Sequence, residues 1–116
     1  MLAVAKMSDL KNYKMIVSLD ETEQNKMVVR IRADEDFSII ESFAIIQLHW
    51  KDSHPIEIVK IDGNKKESIH MHNFFIGPGE KEYHNRPVSY EAVIYYYEKV
   101  MGNWRWYLAQ YQNNYI

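Results

Sequence analysis

FSIIESFAIIQLHWK, residues 37–51, can be read in two ways, and the fold turns on which one holds. Glu41, Ser42 and Ala44 are tolerated in a helix, and short apolar runs are ambiguous by periodicity alone. The isoleucines and aromatics favour a strand, because branched and ring side chains pack well on a pleated surface. We read one long central strand with room for a bend.

The flanking sequence supplies its neighbours. Upstream, YKMIVSL (13–19) alternates Tyr13, Met15, Val17 and Leu19 against Lys14 and Ser18, and KMVVRIRA (26–33) sets Met27, Val29 and Ile31 opposite Arg30 and Arg32. DETEQN (20–25) is a loop of the length that joins two such strands into a hairpin. Downstream, KDSHP (51–55) reads as a turn, IEIVKI (56–61) as a strand and DGNKK (62–66) as a second turn. In the strand ESIHMHNFFI (67–76), alternation puts His70, His72, Phe74 and Ile76 on one face and Ile69, Met71, Asn73 and Phe75 on the other.

GPGEKEYHNRP (77–87) reads as a loop, and the pattern then changes. From the N-cap candidate Ser89, apolar residues recur at helical spacing, and we expect a helix over 89–113. Gly102 and Asn103 predict a kink or a division into two helices. Helical spacing turns Tyr97, Trp104, Leu108 and Tyr111 toward the sheet and leaves Tyr96, Arg105 and Trp106 partly exposed. The expected architecture is α+β: an antiparallel sheet of about five strands with a C-terminal helix packed on one face. The 116 residues are expected to form a single domain, with residues 1–10 as a disordered tail.

Composition narrows the function. The 14 basic and 16 acidic side chains nearly cancel, so no global basic excess advertises nucleic acid, although a local patch would suffice. The absence of cysteine removes disulfides, thiolate zinc sites and cysteine nucleophiles together. MLAVAKMSDLKNY, the start of the chain, falls short of a signal-peptide core, and no run reaches the roughly 18 apolar residues of a membrane span. The expectation is a cytoplasmic protein with no membrane partner.

His70 and His72, at i and i+2 on one strand face, can converge on one point. Such a pair suits a metal or an acid and a base flanking a phosphodiester, since an imidazole titrates near pH 6.5. It also suits a half-exposed sheet face whose rings meet only water or a carboxylate. A zinc site needs further ligands, and His49, His54, His84, Asp62 and Glu82 show no recognised spacing, so no metal and no cofactor are expected. RNA cleavage through the 2′-hydroxyl needs a base, an acid and a cation, for which the chain offers His70 and His72, with Asp62 to orient a histidine and Lys60, Lys81, Arg86 and His84 to hold the substrate. No phosphate-binding glycine loop or nucleophile elbow accompanies them.

QLHWKDSHPIEIVKID followed by SIHMHNF resembles the central region of the small TumE-type toxins and related uncharacterised prokaryotic proteins. The matching positions are His49 and Trp50, Asp62, and His70 and His72, over about a third of the chain. Where that family usually carries an arginine and a tryptophan before its aspartate, this chain has Lys60 and Ile61. The resemblance implies the toxin of a toxin and antitoxin pair, acting on RNA or translation, with an antitoxin as partner. The ribonuclease chemistry follows from the histidines, not from the resemblance. The alternative expectation is a non-catalytic interaction domain, binding a protein or forming a homodimer through the exposed aromatics of its helix.

Overall fold

A computed structural model describes residues 9–115. Of the tail expected over residues 1–10, residues 1–8 lie outside the described residues. The chain is α+β: strands β1 (Lys11–Ser18), β2 (Asn25–Ala33), β3 (Ile40–Lys51), β4 (His54–Asn64), β5 (Glu67–Asn73) and β6 (Lys81–Tyr83) precede one helix, α1 (Tyr90–Tyr115). The strands lie in the order β1-β2-β3-β4-β5-β6, each antiparallel to the next.

Within the 37–51 stretch, Ile40–Lys51 forms β3 and residues 37–39 bend into it; Glu41 is an extra residue of β3 where its register against β2 slips, and at Gln47/Leu48 the extra residue is Ile58 of β4. Asp52 and Ser53, both at positive φ (53° and 68°), make the two-residue turn between β3 and β4, the backbone that matches the twist of flanking strands. In the next hairpin the turn falls on Lys65 and Lys66, and Gly63 lies inside β4. That glycine supplies space: a Cβ there would come within 2.8 Å of Ile69 Cγ1 and 3.1 Å of Ile69 Cα.

Alternation divides the sheet into two faces. One carries Met27, Val29, Phe43, Ile45, Val59, Ile61, Ile69 and Met71, and α1 lies across it with Ala92, Val93, Tyr96, Val100, Trp104 and Tyr107 buried. Their spacing of three to four residues makes one helical stripe. Ser89 caps α1, its Oγ accepting from Ala92 N at 3.1 Å. Gln47 Nε2 reaches up from the sheet floor to donate to the Trp104 carbonyl at 2.9 Å.

Three expectations are corrected. The sheet has a sixth strand, Lys81–Tyr83, inside the segment read as a loop; a three-residue strand is too short to show a period. α1 runs unbroken through Gly102, which is exposed, and a Cβ added there would meet nothing within 4 Å, so the glycine lowers helix propensity without opening the backbone ladder. Tyr96 is 1% exposed and central to the core, while Tyr97, Leu108 and Tyr111 only flank it. The buried stripe runs through Ala92, Val93, Tyr96, Val100, Trp104 and Tyr107, sharing Trp104 with the expected one but turned toward the Tyr96 and Tyr107 side. Arg105 and Trp106 are exposed as expected.

Candidate functional site

The open face of the sheet holds a cluster of chemistry-bearing side chains. The pairing Asp62↔His70 and Lys60↔His72 continues as His70↔Tyr83 and His72↔Lys81, so three strands place six such residues side by side. They alternate with Ile61, Ile69 and Met71, which are buried beneath α1. The histidines therefore stand on the face that α1 leaves uncovered.

His70 is anchored on both sides. Its Nδ1 lies 3.0 Å from the Ser68 carbonyl, which can only accept, and its Nε2 meets Asp62 Oδ1 directly. Asp62 Oδ1 is buried with no other hydrogen-bond partner among the described residues. Its second oxygen, Oδ2, faces Lys60 Nζ at 3.6 Å and His72 Nε2 at 4.0 Å. The His70 side chain is only 7% exposed, against 23% for His72.

His72 is the freer imidazole. Its ring stacks on Phe74 (centroids 5.4 Å, 12° between planes) and meets His70 edge-on at 5.0 Å. Burial lowers its pKa from the ordinary 6.5; the Asp62 charge opposes this, while His70, Lys81 and Lys60 reinforce it. A ring so placed is mostly neutral at physiological pH and can accept a proton. Lys81 is held the other way, chiefly by a hydrogen bond with Tyr83, so its ammonium keeps its charge. Lys81 Nζ sits over the Tyr83 ring, 5.0 Å from its centroid, and 3.9 Å from Glu67 Oε1.

Asp62, His70, His72, Lys60 and Lys81 thus converge, and two other expected site residues do not join them. His84 Nδ1 is 2.5 Å from Tyr96 Oη, which ties His84 to the core side of the sheet, and its Nε2 is 3.2 Å from Glu82. Arg86 lies over the Tyr95 ring at 4.0 Å, beside the start of α1. His49 and Trp50 are also elsewhere: His49 Nδ1 pairs with Asn25 Oδ1 at 2.8 Å, and burial lowers its pKa. Tyr83 is the neighbour that sequence reading passed over. Its signal was the alternation of Lys81 and Tyr83 around Glu82, hidden by flanking glycine and proline.

Asp62, His70 and His72 each offer a ligand atom, all within 4.8 Å of one another, and could hold a divalent cation with open coordination positions. Seating one means separating His70 Nε2 from Asp62 Oδ1, which now touch; a proton between them needs no such movement. Comparison with protein-family models, curated proteins and solved structures gives no match, so the geometry and the residues carry the functional reading. No helix among the described residues is long and apolar enough to cross a membrane.

Proposed function

We propose that the chain is a metal-independent ribonuclease whose catalytic centre is the His72–Asp62–His70 cluster, acting as the toxin of a toxin and antitoxin pair. The observation that carries the chemistry is a neutral-leaning, reachable imidazole flanked by two ammonium groups on an open sheet face. The toxin role and its antitoxin partner rest on the resemblance in the 47–74 region, and a cytoplasmic site of action goes with them.

His72 Nε2 takes the proton from a 2′-hydroxyl as that oxygen bonds to phosphorus. Lys60 and Lys81 face the charge that builds on the non-bridging oxygens. The bond to the 5′-oxygen breaks, that oxygen takes a proton from the Lys81 ammonium, and solvent returns the His72 proton to Lys81. The products are a 2′,3′-cyclic phosphate and a 5′-hydroxyl. Both His70 nitrogens are already engaged, so in this scheme His70 positions Asp62, and Asp62 in turn holds His72 and Lys60 in place.

The test is cleavage of RNA in excess chelator by the wild type and His72→Ala, with the termini identified. Chelator-resistant cleavage to cyclic-phosphate and 5′-hydroxyl ends, lost by about 10²–10⁴-fold in the variant, is expected. Cleavage that requires an added divalent ion and leaves 5′-phosphate ends would overturn the metal-free scheme.

A second reading, a homodimerising interaction domain, is favoured by the β1 side of the molecule. There an open apolar groove of about 430 Å³ lies beside Met15, Tyr90 and Ile94, and the outer edge of β1 is unpaired among the described residues. A second copy could add its own β1 to that edge. Light scattering at rising concentration tests this reading: a mass that stays at 13.9 kDa sinks it.

A further inference from the structure

The strand registers align a second feature with the proposed centre. Lys14↔Arg30, Arg30↔Ala44, Ala44↔Asp62, Asp62↔His70 and His70↔Tyr83 form one continuous row across all six strands of the open face. At its far end Lys14 and Arg30 are directly opposed, both exposed, and neither has an acidic partner among the described residues. Like charges facing each other across a strand pair are unfavourable, and a bound anion relieves them. Arg32, one row away, differs: it is tied to Glu41 Oε2 at 2.8 Å and donates to Asn12 Oδ1 at 3.2 Å.

Between this pair and Asp62 stands Ala44, the smallest side chain of the row. A shallow depression of about 410 Å³ opens there, its open-face lining being Asn12, Lys14, Arg30, Arg32, Ser42 and Ala44. It offers cations, an amide and a hydroxyl over a floor without bulk, the chemistry that phosphate oxygens seek. Ala44 lines the depression and pairs with Asp62, so the depression and the cluster adjoin on the sheet.

We infer that Lys14 and Arg30 form a phosphate-backbone subsite for single-stranded RNA, which lies along this row with its scissile bond at His72. The inference rests on the ribonuclease reading and names its substrate. Arg30 and His72 are three strand spacings apart and one row offset along the strands, roughly 16 Å. At a rise of about 3.4 Å per stacked nucleotide, or about twice that when extended, the phosphate held by Arg30 lies about three to five nucleotides from the one cleaved. A single strand is required because in-line attack by a 2′-hydroxyl needs a backbone free of the helical stack. The exposed ring of Tyr83 (65%) and the half-buried Phe74 beside the cluster give unpaired bases faces to stack on.

The experiment measures fluorescence anisotropy of labelled octaribonucleotide and diribonucleotide with the full chain carrying His72→Ala, alone and with Lys14→Gln and Arg30→Gln added. Octamer affinity is expected to fall at least tenfold, with a salt slope shallower by about 1.4, the value for two lost single-strand contacts. The dinucleotide, too short to reach Arg30, is expected to lose nothing. Far-UV circular dichroism and a thermal midpoint equal to or above the parent's verify folding, since the substitutions remove a repulsion. Unchanged octamer affinity overturns the subsite, as does equal or tighter binding of an octamer duplex. The two readings fail separately. Octamer cleavage by the wild type that is indifferent to Lys14 and Arg30 sinks the subsite and keeps the ribonuclease. Octamer binding that depends on Lys14 and Arg30 without cleavage does the reverse.

Discussion

Met71 and His72 are adjacent in β5, yet they belong to different environments. Met71 is 3% exposed in a layer of aliphatic and aromatic side chains under α1. His72 stands on the uncovered face among Asp62, Lys60 and Lys81. The same sheet thus offers one face whose apolar side chains pack under the helix, and one that carries the charged and titratable groups beside a smaller buried patch of Val28 and Ile46. The difference shows how a small α+β chain separates stability from chemistry: the pleat sends successive side chains to opposite sides, so neither role constrains the other closely.

That separation can be broken first from the covered side. Tyr96→Ala empties the centre of the core and removes the partner of His84, so about 3–5 kcal/mol of stability is expected to be lost in urea unfolding. On the open face, Ile16→Ala, at a residue 58% exposed, is expected to change stability by about 0.5 kcal/mol or less. A comparable loss from both would mean that the open face is covered after all.

From the other side, His72→Ala is expected to abolish RNA cleavage by about 10²–10⁴-fold while leaving the thermal midpoint within a few degrees of the parent. Gly63→Ala couples the faces. Its Cβ would collide with Ile69, one residue before His70, so a stability loss of about 1–3 kcal/mol is expected together with a disturbed cluster. Ser89→Ala removes one cap on the covered side and should cost about 1 kcal/mol, with no effect on cleavage.

The smallest expected effect is on pH. Burial lowers the pKa of both His49 and His72, so the folded protein takes up their protons less readily than the unfolded chain does near pH 6.5. Their stabilising contribution is complete above that value and is lost as pH falls toward their folded pKa values. Urea midpoints at pH 7.5 and 5.5 are expected to show a modest decline, flattened by His49→Gln. Cleavage should also fall on acidification, because His72 must be neutral to accept a proton.

Much of this arrangement is legible in local pattern. The period of two in 67–76 already sets His70 and His72 opposite Ile69 and Met71, and Ser89 already marks where the helix starts. What is not legible depends on partners distant in sequence. That Tyr96 rather than Tyr97 is buried depends on how the helix seats on the sheet, and β6 exists because β5 offers it an edge. The alignment of Lys14 and Arg30 with Asp62 needs the registers of three hairpins at once. A bulge at Gln47/Leu48 lies in one of them, and no local window reveals it.

Because α1 follows all six strands, the order of synthesis bears on how the chain avoids trouble. Every strand pairs with its neighbour in sequence, so the sheet can close hairpin by hairpin as it leaves the ribosome. The apolar layer that includes Met27, Ile45, Ile61 and Met71 then waits for its cover. At roughly 5–20 residues per second, the 26 residues of α1 take about 1–5 s to appear. During that interval the nascent sheet is a sticky surface, and slow codons within 90–115 would lengthen its exposure to chaperones and to aggregation alike.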